Sequence, residues 1–254
     1  VVDVSGYVPR HVAEAGEAIE KVGRYLFIST GSVYDTSAGT ASDVEKSSEG
    51  VTEDAARVAP YRESETIDGQ TYGALKVACE DDVQTRYGDQ ATIVRPGVVA
   101  GPHDPTDRFT YWVRRAAEGG RIAVPRPSQP VQVVDAGDLA RLVTLLLEKD
   151  LPGIYNAVGP WPSVTLAEAV EACAAAAGTT VEIVPVDLEA GFPLTLPDNL
   201  DVMFRRGASA AHQVGMPKTP LVETAKAVLA WDRSRGLPPF AGAVTPEREQ
   251  ELLG

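Results

Sequence analysis

Most of the residues that make a chemistry easy to name are scarce in this sequence. There are two cysteines, Cys79 and Cys173, three histidines, and aromatics at 6% of the chain. Two isolated cysteines build neither a disulfide framework nor a zinc site, so a reducing, cytoplasmic setting is expected. His11, His103 and His212 each stand alone, without a partner at metal-ligand spacing, and no metal is expected. Basic residues are also short: 23 Lys and Arg against 36 Asp and Glu give a net charge of −13. That balance argues against nucleic acid or an anionic membrane as a partner, because phosphate binding needs a basic face. No apolar run approaches the ~20 residues of a membrane span. No basic segment leads into an apolar one, so no secretory leader is expected. The G-x-S-x-G elbow of serine hydrolases is missing too.

What remains is ample for a core. The 254 residues are 44% hydrophobic, which suits one or two globular domains. Short β-branched runs predict strands at Val1–Val4, Tyr25–Ser29, Ala91–Arg95, Val131–Val134, Ile154–Val158 and Val181–Pro185. Helical stripes predict helices over Val12–Val22, Gly73–Tyr87, Asp138–Lys149 and Leu166–Ala177, the last behind a Ser163 or Thr165 cap, with Asp138 capping Leu139–Lys149. A late surface helix is expected within Pro217–Trp231. Alternating strands and helices imply a parallel, doubly wound α/β sheet. Thr36–Gly69 breaks the rhythm with eight acidic residues against three basic ones. It reads as a long surface loop, either a solvated insertion or a lid over a site. After about residue 120 prolines cluster, first in Val124–Pro130, and the rhythm changes. The expected division is therefore residues 1–120 as the sheet domain and 121–254 mainly as a smaller lobe, with some elements returning to the main sheet.

The chemistry is concentrated in Thr71-Tyr72-Gly73-Ala74-Leu75-Lys76. Tyr72 and Lys76 are four apart on a predicted helix and share a face. A phenol is a poor base at neutral pH, but an ammonium within ~4–6 Å favours the phenolate. Such a phenol can protonate a carbonyl oxygen or deprotonate an alcohol. An exposed tyrosine packed over a lysine stem would give the same spacing, so context matters. Tyr25–Ser29 runs into Thr30-Gly31-Ser32-Val33-Tyr34, placing hydroxyls at a strand's carboxyl end, where α/β sheets bind ligands. Arg95-Pro96-Gly97-Val98 forms another loop on that edge.

With these segments in view, the sequence resembles the extended short-chain dehydrogenase/reductases, the NAD-dependent epimerase/dehydratase group. Ser5-Gly6, FISTGSVY, YGALK, VRPGVVAGP, VVDAGDLA and GIYNAVG fall in that family's order over nearly the whole chain. The resemblance implies a Rossmann-type domain with a smaller C-terminal substrate lobe. It implies NAD or NADP as cofactor and a carbonyl or alcohol as the small-molecule substrate. Tyr72 would be the catalytic acid/base, Lys76 would lower its pKa and bond the nicotinamide ribose, and Thr30, four residues before Tyr34, would hold the reacting oxygen. Ser29 and Ser32 are substitutes for Thr30. The cofactor-facing set would be Ser5, Gly6, Ser29, Tyr72, Lys76 and the Pro96-Gly97-Val98 backbone.

Two departures qualify the resemblance. The Gly-x-x-Gly-x-x-Gly segment that holds the diphosphate is not in this sequence, nor is the residue choosing NAD or NADP. The sheet is therefore expected to be N-terminally incomplete by roughly 60–80 residues, at ~30 per βαβ unit. Val1–Val4 would then be an internal strand of a larger sheet with an apolar edge prone to self-association, and a homodimer is allowed. Second, Val131 stands seven residues before Asp138, where nucleotide-sugar epimerases carry an arginine for the diphosphate. A nucleotide-sugar substrate is accordingly not expected, although Arg108, Arg114 or Arg126 could substitute. His103 and Arg108 follow the Gly101-Pro102 turn and join Ser32 and Arg126 as substrate candidates, while Tyr111 and Trp112 could line the pocket. The competing reading is a non-catalytic binding or regulatory module on the same fold.

Overall fold

The computed structural model describes residues 1–19, 21–37, 49–188 and 191–254. The chain forms two compact units. One comprises Val1–Gly97, Asp138–Val158 and Arg206–Pro217; the other comprises Val98–Gly137, Gly159–Arg205 and Lys218–Gly254. The chain first crosses between them at Gly97–Val98, ahead of the proline-rich stretch that suggested a boundary near 120. The reason is packing: Phe109, Trp112 and Val113 already belong to the second unit's core.

The first unit holds a parallel sheet in the order β1 (Val2–Asp3), β2 (Tyr25–Ile28), β3 (Ala91–Pro96) and β8 (Gly153–Ala157). Its register pairs Val2 with Leu26, Tyr25 with Ala91 and Thr92 with Gly153. β3 is buried along its whole length, as a parallel strand covered on both faces must be. The helices α1 (Pro9–Ala18) and α2 (Tyr72–Tyr87) cover one face, where Val12, Cys79 and Val83 meet Phe27 and Ile93. Gly88, at φ 49°, ends α2 in a backbone conformation that a β-carbon would strain.

β1 spans only Val2–Asp3 of the expected strand Val1–Val4. Val1, Val2 and Val4 are exposed, and Asp3 is the residue that turns inward. β1 pairs only with β2 among the described residues, and alternation then puts Val2 and Val4 on the opposite side from Asp3.

The second unit is built from pairs rather than one sheet. β4 (Val98–Ala100) runs parallel to β7 (Val133–Asp135), β5 (Gly120–Pro125) parallel to β10 (Val181–Val186), and β6 (Pro130–Val131) antiparallel to β9 (Val164–Thr165). Its helices are α3 (Arg108–Glu118), α5 (Leu166–Ala177), α6 (Leu221–Ser234) and α7 (Pro246–Leu253). The expected single strand at Val131–Val134 is thus two, split at Gln132. α5 begins with a complete capping box between Thr165 and Glu168, which decides for Thr165 over Ser163. α4 (Ala136–Glu148) starts earlier than expected, so Asp138 sits inside its first turn, bonded to Arg141. Asp135 receives the Gly137 N–H instead.

Candidate active site

The site candidates of the first unit converge on the carboxyl ends of β1 and β2 and on the first turn of α2. An Asx turn starts that helix: the Asp68 carboxylate accepts the backbone N–H groups of Gln70 and Thr71 and the Thr71 hydroxyl, and lies below the usual carboxylate range for that reason. Gly73 lets the helix approach the Thr30 turn. A β-carbon at Gly73 would stand 2.2 Å from the Ser32 carbonyl oxygen, so only glycine fits. The turn itself is closed locally, with Thr30 Oγ1 accepting the Ser32 N–H at 3.1 Å and donating to Ser32 Oγ at 3.3 Å.

Lys76 is the most distinctive member. Its side chain is buried, at 3% exposure, and among the described residues no carboxylate hydrogen-bonds it. Its ammonium donates to the carbonyls of Gly6 and Ile28, both at 2.7 Å. It also lies 4.1 Å from the Phe27 ring centroid and 5.5 Å from that of Tyr7. Loss of hydration pulls its pKa down to about 8, against an opposing pull from Cys79, Asp3 and Glu80. Two of its three N–H groups are thus used by carbonyls, and aromatic faces supply the rest of the cation's surroundings. Tyr72, half-buried, stands one turn earlier, its ring 6.4 Å from that of Tyr7.

The other candidates are distributed as follows. Ser5 is exposed and Gly6 buried in the loop after β1; the buried Ser29 Oγ meets no hydrogen-bond partner among the described residues. Pro96 and Gly97 end β3, with the Gly97 N–H bonded to the Ala157 carbonyl, and Val98 opens the second unit. In the second unit, Arg126 is held by Asp198 and Asp201, and Arg114 is bidentate to Asp232. Arg108 is exposed at a cleft of about 300 Å³ lined by Pro105, Tyr111, Phe192 and Phe240. His103, at φ 71°, is exposed with its ring 5.5 Å from that of Trp231.

Of the long acidic segment, residues 38–48 lie outside the described residues. Its described remainder is pinned down. The Asn156 side-chain amide donates to the Val51 carbonyl and its backbone N–H donates to Glu53 Oε1; the Val58 N–H donates to the Val33 carbonyl. Beneath it lies a cluster the sequence reading missed. Arg95, 1% exposed, is bidentate to Glu80 at 2.9 and 2.7 Å and donates to the Tyr34 hydroxyl, which donates to Asn156. Asp3 was missed as well. A charged residue within a β-branched run was the available signal, since burying one is costly without partners.

The sequence profile of the NAD dependent epimerase/dehydratase family matches residues 7–157, more than half of the chain. The chain belongs to that family. The chain is also 26% identical over 235 residues to the chloroplast stem-loop binding protein of 41 kDa b from Arabidopsis thaliana, covering 88% of this chain. It spans 56% of that relative's length. Among solved structures, RMD from Pseudomonas aeruginosa complexed with NADPH superposes with a TM-score of 0.63 at 20% identity, covering 92% of this chain and 81% of that one. UDP-glucuronic acid 4-epimerase from Bacillus cereus, in complex with NAD, gives 0.59 at 18% identity, covering 88% and 66%. At these identities the likeness establishes the fold: the epimerase/dehydratase-family α/β architecture with its parallel, Rossmann-like sheet.

Proposed function

We propose that this chain carries the proton-transfer machinery of an NAD(P)-dependent oxidoreductase of the epimerase/dehydratase type, with Tyr72 as acid/base, Lys76 as its electrostatic partner and Thr30 as the hydroxyl that holds the reacting oxygen. The observation that carries this reading is Lys76: a buried ammonium held by carbonyls and rings, one helical turn from a half-buried phenol. A cation so placed lowers the cost of forming a phenolate nearby.

The residues present fit one end of a dinucleotide. Lys76 keeps an N–H for a ribose hydroxyl, Ser29 Oγ, without a hydrogen-bond partner among the described residues, offers a polar contact, and Gly6 keeps the backbone low beside Lys76. The chemistry a bound nicotinamide supplies is hydride transfer. The neighbours with NAD or NADPH bound support this choice of cofactor without separating the two. Thr30 fixes the substrate oxygen, and Tyr72 gives that oxygen a proton as a carbonyl is reduced, or removes one from an alcohol. Val131, where an arginine would grip a diphosphate, favours a carbonyl or alcohol that is not a nucleotide sugar.

The test is titration with NADH and NADPH, followed by their fluorescence, and turnover over a panel of carbonyl compounds. Tyr72→Phe should lower kcat by about 10²–10⁴ while leaving cofactor affinity within about threefold. Undiminished turnover in Tyr72→Phe would remove its role. One observation favours a second reading, a binding module: the relative is named for binding a stem-loop. The charge of −13 opposes it for RNA, and retention of a stem-loop RNA with no affinity for either nucleotide would support it.

A further inference from the structure

The loop between β1 and α1 is organised by one buried carboxylate. Asp3, 8% exposed, accepts the backbone N–H groups of Ser5 and Gly6, each at 2.9 Å. It also receives the Ser5 hydroxyl at 3.3 Å and the Tyr25 hydroxyl at 2.7 Å. The Gly6 residue therefore has both polar groups engaged: its N–H goes to Asp3, and its carbonyl receives the Lys76 ammonium. There is no slack in that arrangement. A β-carbon on Gly6 would fall 2.7 Å from the Phe27 ring and 2.9 Å from Asp3 Oδ2. Phe27 is also the ring beneath the ammonium.

We propose that Asp3 is a positioning residue for Lys76: by holding the Ser5 and Gly6 N–H groups it aims the Gly6 carbonyl at the ammonium. The negative charge of Asp3 also favours the protonated lysine. The proposal rests on the assignment of Lys76 above and extends it to a residue that never touches the ammonium. Carboxylate, loop and lysine form one relay, with Tyr25 closing it. Burial and the bond to Asp3 raise the Tyr25 phenol well above its ordinary value, so it stays a hydrogen-bond donor to the carboxylate. The other groups that bear on the ammonium are Cys79 and Glu80 on α2, and the rings of Tyr7 and Phe27.

The experiment follows Lys76 itself, by NMR of protein labelled with ¹⁵N-lysine, the resonance assigned with Lys76→Arg. In Asp3→Ala the ammonium hydrogens should exchange about tenfold faster or more, the equivalent of one lost charge-assisted hydrogen bond. The titration midpoint should also fall below its starting value of about 8. Asp3→Asn keeps an oxygen for the Ser5 and Gly6 N–H groups but not the charge. It should retain slow exchange yet still show the lower midpoint. A folded Asp3→Ala with exchange and midpoint unchanged overturns the proposal. If Asp3→Ala does not fold, an unchanged midpoint in Asp3→Asn overturns it. A purely structural Asp3 would shift the melting temperature and leave both readouts alone. Neither readout needs cofactor or substrate, so their failure is distinct from undiminished turnover in Tyr72→Phe.

Discussion

Lys76 and Arg95 are both cations buried in the first unit, at 3% and 1% exposure, yet they are treated in opposite ways. Glu80, one turn after Lys76 on α2, gives its whole carboxylate to Arg95 and Arg57 and none of it to the lysine. Burial alone would lower the Arg95 guanidinium, but the bidentate carboxylate outweighs it and its pKa rises. Lys76 has carbonyls and aromatic faces instead, and loss of hydration prevails there. The lesson is that burial by itself does not define a site. A cation closed into a bidentate pair is fixed in its charge, whereas one held by neutral groups titrates near pH 8 and, among the described residues, keeps one N–H unused.

The largest test of this contrast is the structural pair. Glu80→Leu should destabilise the protein by about 3–5 kcal/mol in chemical denaturation, since it strands a buried guanidinium, whereas Glu80→Leu with Arg95→Met should cost clearly less than the sum of the two single changes. Additive losses would mean the pair is not the closed unit described.

Next comes the pH dependence of the lysine. Its folded pKa of about 8 lies below the ordinary 10.5, so between those values the unfolded chain binds more protons and stability rises with pH. Below pH 8 the burial cost is present in full. The stability of the wild type relative to Lys76→Met should therefore climb by up to ~3 kcal/mol between about pH 8 and 10.5, at 1.36 kcal/mol per pKa step. A flat difference would mean that Lys76 does not titrate as a buried cation.

The smallest effect is expected at Arg57, whose side chain is 34% exposed on the rim of the cluster. Arg57→Ala should cost no more than about 1 kcal/mol and leave Lys76 untouched, because solvent screens the outer partner.

Much of the fold was legible from pattern. β2 and β3 announce themselves as β-branched, apolar runs, α2 as a stripe of Leu75, Cys79, Val83 and Tyr87, and α5 by its Thr165 cap. The division into units was less so. Proline content changes only after residue 120, whereas membership in the second core begins with β4 and α3, whose sequences look like any other apolar segments. At the candidate site, the placement of Tyr72 and Lys76 one turn apart on one helix was readable because helical spacing is local. The roles of Asp3, Glu80 and Arg95 were not, because the Tyr25–Asp3 and Arg95–Glu80 contacts that define them span 22 and 15 residues. Nor could composition tell that Arg126 would be held by Asp198 and Asp201.

The sequence by itself determined the alternation of strands and helices, the i, i+4 pairing of phenol and amine, and the acidic balance that disfavours phosphate backbones. Each depends only on neighbours along the chain or on summed charge. The tertiary structure decided which buried charge is neutralised and which is left available. That choice depends on where Glu80, the Gly6 carbonyl and the Phe27 ring come to lie, and contacts between segments remote in the chain leave no periodic trace in it.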